Sequence, residues 1–160
     1  MKSLHLQNHK NENYIIQKGE DETMRDDNCI FCKLLNGDIP SRKVFEDDDF
    51  SVIMDVEPAT KGHCLVIPKE HYANLFEMPD EVAQKVLPLA KKVGSHLKES
   101  LGCDGMNLVQ NNGEVAGQTV HHFHLHLIPR YADGVKTDVT WGHTDFSAEE
   151  MDEIHNTIKM

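Results

Sequence analysis

Between His122 and Leu127 the chain alternates one histidine with one apolar residue, and the run closes on Ile128 and Pro129. A period of two belongs to extended backbone, in which successive side chains point to opposite sides. His122, His124 and His126 therefore share one face, and Phe123, Leu125 and Leu127 share the other. The apolar face suits a core. Three imidazoles spaced roughly 7 Å apart make a poor core but can serve a ligand or a reaction. The alternative is a surface strand that happens to be rich in histidine. Of the 11 histidines, four fall between positions 121 and 126; His121 lies on the other face from the three and reads as structural.

The rest of the chain supplies partners for such a strand. A short apolar-rich segment from Cys29 to Asn36 ends at Gly37, which predicts one or two helical turns closed by a left-handed glycine, with Pro40 forbidding continuation. Val44–Glu46 and Phe50–Met54 read as a hairpin around the acidic turn Asp47–Asp49, and His63–Ile67 reads as a third strand ended by Pro68. From Asp80 to Leu101 the residues Val82, Val86, Leu89, Val93 and Leu97 form a helical stripe, in which Pro88 predicts a bend or a division into two pieces. Met106–Gln110 reads as the fourth strand and Val120–Ile128 as the fifth, stopped by Pro129. Ser147 with Glu150 predicts a capped C-terminal helix carrying Met151, Ile154 and Ile158. Short loops between successive strands favour an α+β domain, an antiparallel sheet with helices on one face.

At 160 residues the chain fits one domain, and residues 1–26, polar and without sustained periodicity, read as a flexible extension. No apolar run approaches the ~20 residues of a membrane helix, and the polar start lacks the apolar stretch of a secretion signal, so a soluble, cytoplasmic protein is expected. The net charge of -11 disfavours nonspecific binding to nucleic acid or to an anionic membrane. Cys64 and Cys103 read as bystanders, whereas Cys29 and Cys32 form a CxxC pair that is either half of a metal site or a redox couple.

The run from His122 to Ile128 follows the pattern histidine, apolar, histidine, apolar, histidine, apolar, apolar, and resembles the HINT branch of the histidine-triad superfamily. Cys29–Asp49, Asp55–His71 and Met106–Arg130 follow the same family's pattern in order and spacing, so the resemblance covers Cys29 to Tyr131 and leaves a divergent segment, 132–160, within a single domain of residues 27–160. It implies five antiparallel strands with a main helix and short flanking helices, paired as a homodimer with a continuous ten-stranded sheet. It implies further that His124 attacks an α-phosphorus to form a covalent nucleotidyl-histidine that water hydrolyses. Its other ring nitrogen should then donate to a main-chain oxygen on its own strand.

By the same resemblance His126 and His63 bind phosphate oxygens, Gln118 and Thr119 reach the bridging atom and leaving group, and Asn111 contacts phosphate. Asp55 takes the ribose hydroxyls, and Ile30, Phe31, Ile39 and Phe50 line the base pocket. Cys29, Cys32, His71 and His122 match the set that binds a structural zinc in relatives, and no organic cofactor is implied. The expected substrates are purine nucleotides, AMP or GMP joined to an amine or acid. Diadenosine polyphosphate cleavage, nucleotidyl transfer to phosphate and a regulatory nucleotide-binding role are the alternatives. A zinc hydrolase using all three strand histidines is disfavoured, since they span about 14 Å, too far to meet one ion.

Overall fold

The computed structural model describes residues 24–134 and 144–160. Most of the expected tail, and Trp141 and His143, which have no counterpart in the short ending of the HINT pattern, lie outside the described residues. The elements run α1 (Ile30–Asn36), β1 (Lys43–Glu46), β2 (Phe50–Met54), β3 (Cys64–Pro68), α2 (Asp80–Leu101), β4 (Gly105–Val109), β5 (Leu125–Arg130) and α3 (Ala148–Ile158), with 3-10 turns at Leu75–Glu77 and Glu114–Ala116. The strands form one sheet in the order β1-β2-β3-β5-β4, antiparallel throughout. This is the expected α+β architecture, and β5, the histidine strand, lies between β3 and β4.

Strand parity divides the interior in two. Phe50, Val52, Cys64, Val66, Leu125 and Leu127 face the α2 stripe of Val86, Leu89, Ala90, Val93 and Leu97, with Phe123 in the same cluster. Ile53, Leu65 and Ile67 face the other way and pack with Cys29, Phe31 and Cys32 of the α1 segment. The two helices therefore cover opposite faces rather than one. Alternation along the histidine run holds: its apolar members enter the α2 core and its histidines lie on the α1 side.

Two local expectations are corrected, and of the two outcomes open at Pro88 the division into pieces is excluded. β5 starts at Leu125 rather than Val120, because the chain turns just before it: His122 N–H donates to Val120 O (2.9 Å) and Phe123 N–H to Tyr72 O (2.6 Å) instead of joining a ladder. Pro129 does not stop β5, which runs on to Arg130. The β3 ladder ends at Cys64 opposite Leu127, and beyond it the Pro129 carbonyl accepts from the Thr60 hydroxyl at 2.7 Å. In an antiparallel strand a residue's N–H and C=O point to the same side, so the proline lacks its donor where no strand requires one. Pro88 leaves α2 as one helix of 22 residues. Both Pro88 and Gln84 are exposed, so the carbonyl that loses its helical donor is open to water.

The expected N-terminal helix has its left-handed cap at Gly37, and the Ser147–Glu150 capping box forms as predicted. The apolar residues of α3, Met151, Ile154 and Ile158, are exposed. Two residues of the expected tail are tied to the domain: Met24 O accepts from His71 N–H (2.7 Å), and Asp26 N–H points at Cys32 Sγ (3.5 Å). No helix among the described residues is long and apolar enough to cross a membrane.

Gly62, at φ +85°, delivers the chain into β3, and a Cβ there would sit 2.3 Å from Leu101 Cδ1 and 3.4 Å from Pro129 Cγ. Gly62→Ala therefore combines backbone strain with repacking at the end of α2. It should destabilise by about 1–3 kcal/mol and lower the melting temperature by roughly 5–10 °C in a thermal scan.

Candidate functional site

His124 sits where the turn passes into β5, and its ring takes up the carbonyl that the turn leaves without a strand partner. Nδ1–H donates to His122 O at 2.7 Å, so the lone pair is on Nε2. The ring is buried, edge-on to Phe31 at 5.0 Å between centroids and 5.0 Å from the His126 ring. Burial pushes its pKa below the ordinary imidazole value, against the opposing pull of the His122 carbonyl and of Asp55. The result is a neutral imidazole, oriented by the main chain, with a nucleophilic nitrogen.

His126 is the next residue on the same face. Burial, then the neighbouring His124 and His63, push its pKa down to about 4. Its Nδ1 lies 2.9 Å from His63 Nε2, bringing together two histidines far apart in sequence. His63 precedes β3 directly rather than lying within it. Asp55 completes the group, with Oδ2 3.5 Å from His63 Nε2 and 4.0 Å from His126 Nδ1, while its Oδ1 accepts from Glu57 N–H at 2.9 Å. The carboxylate follows the last residue of β2 and is partly exposed, with acceptor capacity for a ligand's hydroxyls.

Cys29, Cys32, His71 and His122 converge on the other side of His124. One ligand atom from each lies within 4.8 Å of all the others. Cys29 Sγ is 3.5 Å from His122 Nδ1, Cys32 Sγ is 3.5 Å from His71 Nδ1, and Cys32 Sγ is 3.6 Å from His122 Nδ1. Bonds of about 2.3 Å to sulfur and about 2.0 Å to nitrogen at a tetrahedral angle place S and N about 3.5 Å apart, so the four atoms fit a zinc ion. His122 Nε2–H donates to Pro68 O at 3.0 Å, which leaves the Nδ1 lone pair facing the thiols. Burial pushes the Cys32 thiol up to about 11 and the His122 imidazole down to about 4.

Gln118, expected at the bridging atom, is 2% exposed and spends its carboxamide on the main chain. Its Nε2–H groups donate to Ala73 O (2.6 Å) and Val120 O (2.9 Å), and its Oε1 accepts from Gly113 N–H (2.8 Å). Thr119 is exposed, and Asn111 Nδ2 donates at 3.4 Å to Gly117 O within the loop. His121, read as structural, is exposed and lies 3.5 Å from Glu114.

Of the four residues expected around the base, Phe31 and Ile30 belong to α1, Phe31 packed against His124 and Ile30 partly exposed. Ile39 is partly buried beyond the Gly37 cap. Phe50 is corrected: it is 1% exposed and packs in the α2 core, on the far face of the sheet from His124. Its place on the histidine face falls to Ile53, which packs with Phe31, with Leu34 beside them. The pairing of Met54 with Cys64 sets that parity, and sequence reading without a register missed it.

The HIT domain family profile matches residues 36–133. An adenosine 5'-monophosphoramidase of Schizosaccharomyces pombe is 42% identical over 135 residues, spanning 82% of this chain and 98% of that protein. Among solved structures, a member of the HIT family of proteins from Bacillus subtilis has a TM-score of 0.76 at 41% identity, covering 82% of this chain and 94% of that one. A zinc-bound histidine triad family protein from Mycobacterium smegmatis has a TM-score of 0.66 at 38% identity, covering 70% and 81%. A profile match that takes in the whole histidine run, and relatives alike in both sequence and fold, lead to one conclusion: this chain belongs to the HIT domain family.

Proposed function

We propose that the protein is a hydrolase that splits a nucleoside monophosphate from the amine or acid attached to its phosphate, with His124 as nucleophile. The observation that carries this reading is the 2.7 Å bond from His124 Nδ1–H to the His122 carbonyl, which leaves Nε2 to attack. In the first step an Nε2–P bond forms as the bond from phosphorus to the leaving group breaks, and the leaving group takes a proton passed from solvent water through the Thr119 hydroxyl. In the second step water attacks phosphorus and gives up a proton to solvent, the Nε2–P bond breaks to restore the neutral imidazole, and the nucleoside monophosphate departs. A donor on His126 steadies charge on the phosphate oxygens, and Asp55 holds the ribose. Phe31, Ile30 and Ile53 offer the base an apolar surface on the histidine face. The name of the S. pombe relative, an adenosine 5'-monophosphoramidase, supports this substrate class. Gln118 organises the loop from which Thr119 reaches the leaving group.

His124→Ala should reduce hydrolysis of a fluorogenic adenosine phosphoramidate by about 10³-fold or more. Rapid-quench intact-mass measurement on the wild type should show one added nucleotide mass; continued turnover with no adduct would refute the nucleophile assignment.

Cys29, Cys32, His71 and His122 form a closed donor set for a structural zinc, supported by the fit of their spacings and by the zinc-bound M. smegmatis relative. When bound, the ion supplies a cross-link between the α1 segment, the stretch just past β3 that carries His71, and the turn before β5. Elemental analysis of protein purified without added zinc should give close to one ion per chain, and chelation should lower the melting temperature. A stoichiometry near zero with unchanged melting would remove the metal.

The homodimer we propose uses the β4 edge and α2. Leu87, Ala90, Gly94, Met106 and Leu108 line a shallow groove of about 550 Å³ there, with Lys91 and Lys98 among its walls. Sedimentation should report a dimer for the wild type and a shift towards monomer for Leu108→Glu.

A further inference from the structure

A neutral imidazole carries one ring proton, so a group that occupies one nitrogen decides the state of the other. At His63 that group is a main-chain amide: Ala59 N–H donates to Nδ1 at 3.1 Å. A proton on Nδ1 would point at this N–H, so the His63 proton lies on Nε2. Burial, the largest influence on this ring, favours the neutral form, against the charge of Asp55.

The Nε2–H of His63 has two acceptors within reach. His126 Nδ1 is at 2.9 Å and Asp55 Oδ2 at 3.5 Å. The shorter contact has hydrogen-bond geometry and takes the proton's direction. His126 Nδ1 must then offer a lone pair, and the His126 proton is confined to Nε2.

We propose that His63 is a positioning residue: through a one-way chain from the Ala59 amide to His63 and on to His126, it holds His126 as an Nε2–H donor beside His124. This departs from the role that the family resemblance gives His63, which is to touch phosphate. His63 is 4% exposed, and both ring nitrogens already have protein partners. The chain also sets two adjacent site histidines in opposite tautomers. A carbonyl takes the Nδ1 proton of His124 and bares its Nε2 for attack, whereas an amide two links away bares Nδ1 of His126 and keeps its Nε2 proton for donation. It further bars a metal ion from the cluster of Asp55, His63 and His126, although their ligand atoms lie within 4.8 Å of one another, because the nitrogen of His63 that would ligate carries a proton.

The test is nuclear magnetic resonance of the full chain labelled with 15N-histidine near neutral pH, with His63 and His126 assigned from single-substitution spectra. Both rings should show a protonated Nε2 and a bare Nδ1; a proton on Nδ1 of either ring overturns the proposal. In His63→Asn the side-chain oxygen can still accept from Ala59 while the donor to His126 is lost. The His126 ring should then show mixed tautomers, and persistence of a pure Nε2–H form there also overturns it.

The kinetic arm rests on the proposed hydrolase reading. His63→Asn should lower kcat on the adenosine phosphoramidate about tenfold with KM little changed, and His63→Gln, which keeps an N–H donor near the old Nε2, should recover most of the loss. Equal rates in His63→Asn and wild type would refute the role. Full activity in His124→Ala would instead refute the hydrolase mechanism and leave the tautomer result standing.

Discussion

The His122 carbonyl accepts the ring proton of His124 at a point where the chain is not yet a strand. Inside a ladder that oxygen would be committed to a neighbouring strand. Here His122 N–H turns back to Val120 and Phe123 N–H reaches Tyr72, so the peptide is available. Everything around the turn serves to hold it: Gln118 braces the loop before it with three main-chain hydrogen bonds, and the His122 ring is fixed from behind by Pro68. The candidate nucleophile is thus oriented by backbone, which has fewer ways to move than a side chain.

The sheet separates two tasks by parity. Its α2 face is uniformly apolar and contributes cohesion, with Val52, Val66 and Leu127 fully buried. Its other face carries the candidate site, with the small cluster of Phe31, Ile53 and the two cysteines packed beside the histidines. A polar group there need not disturb the main core, because the backbone layer lies between them.

Much of this was legible in the sequence because its signals are periodic. Alternation over His122–Leu127 gave the two faces, and the stripe from Val82 to Leu97 gave α2. The CxxC pair with two distant histidines, once the family resemblance was admitted, gave the cluster now found within 4.8 Å. What escaped is what depends on pairing. The parity of Phe50 follows from Met54 standing opposite Cys64, and no local pattern states that register. The late start of β5 follows from a turn hydrogen bond, and the passage through Pro129 from the end of a neighbouring ladder. Gln118 could be recognised as a loop brace only once Ala73 was seen beside it.

His122 answers to two masters through different parts of the same residue. Its ring faces the cysteines, while its peptide oxygen faces His124. Any amino acid at position 122 would still present a carbonyl, so a descendant of this protein could abandon the two thiols and two imidazoles of the candidate metal cluster codon by codon and keep the carbonyl that orients His124. The two inheritances are separable in evolution, provided that packing alone then holds the turn.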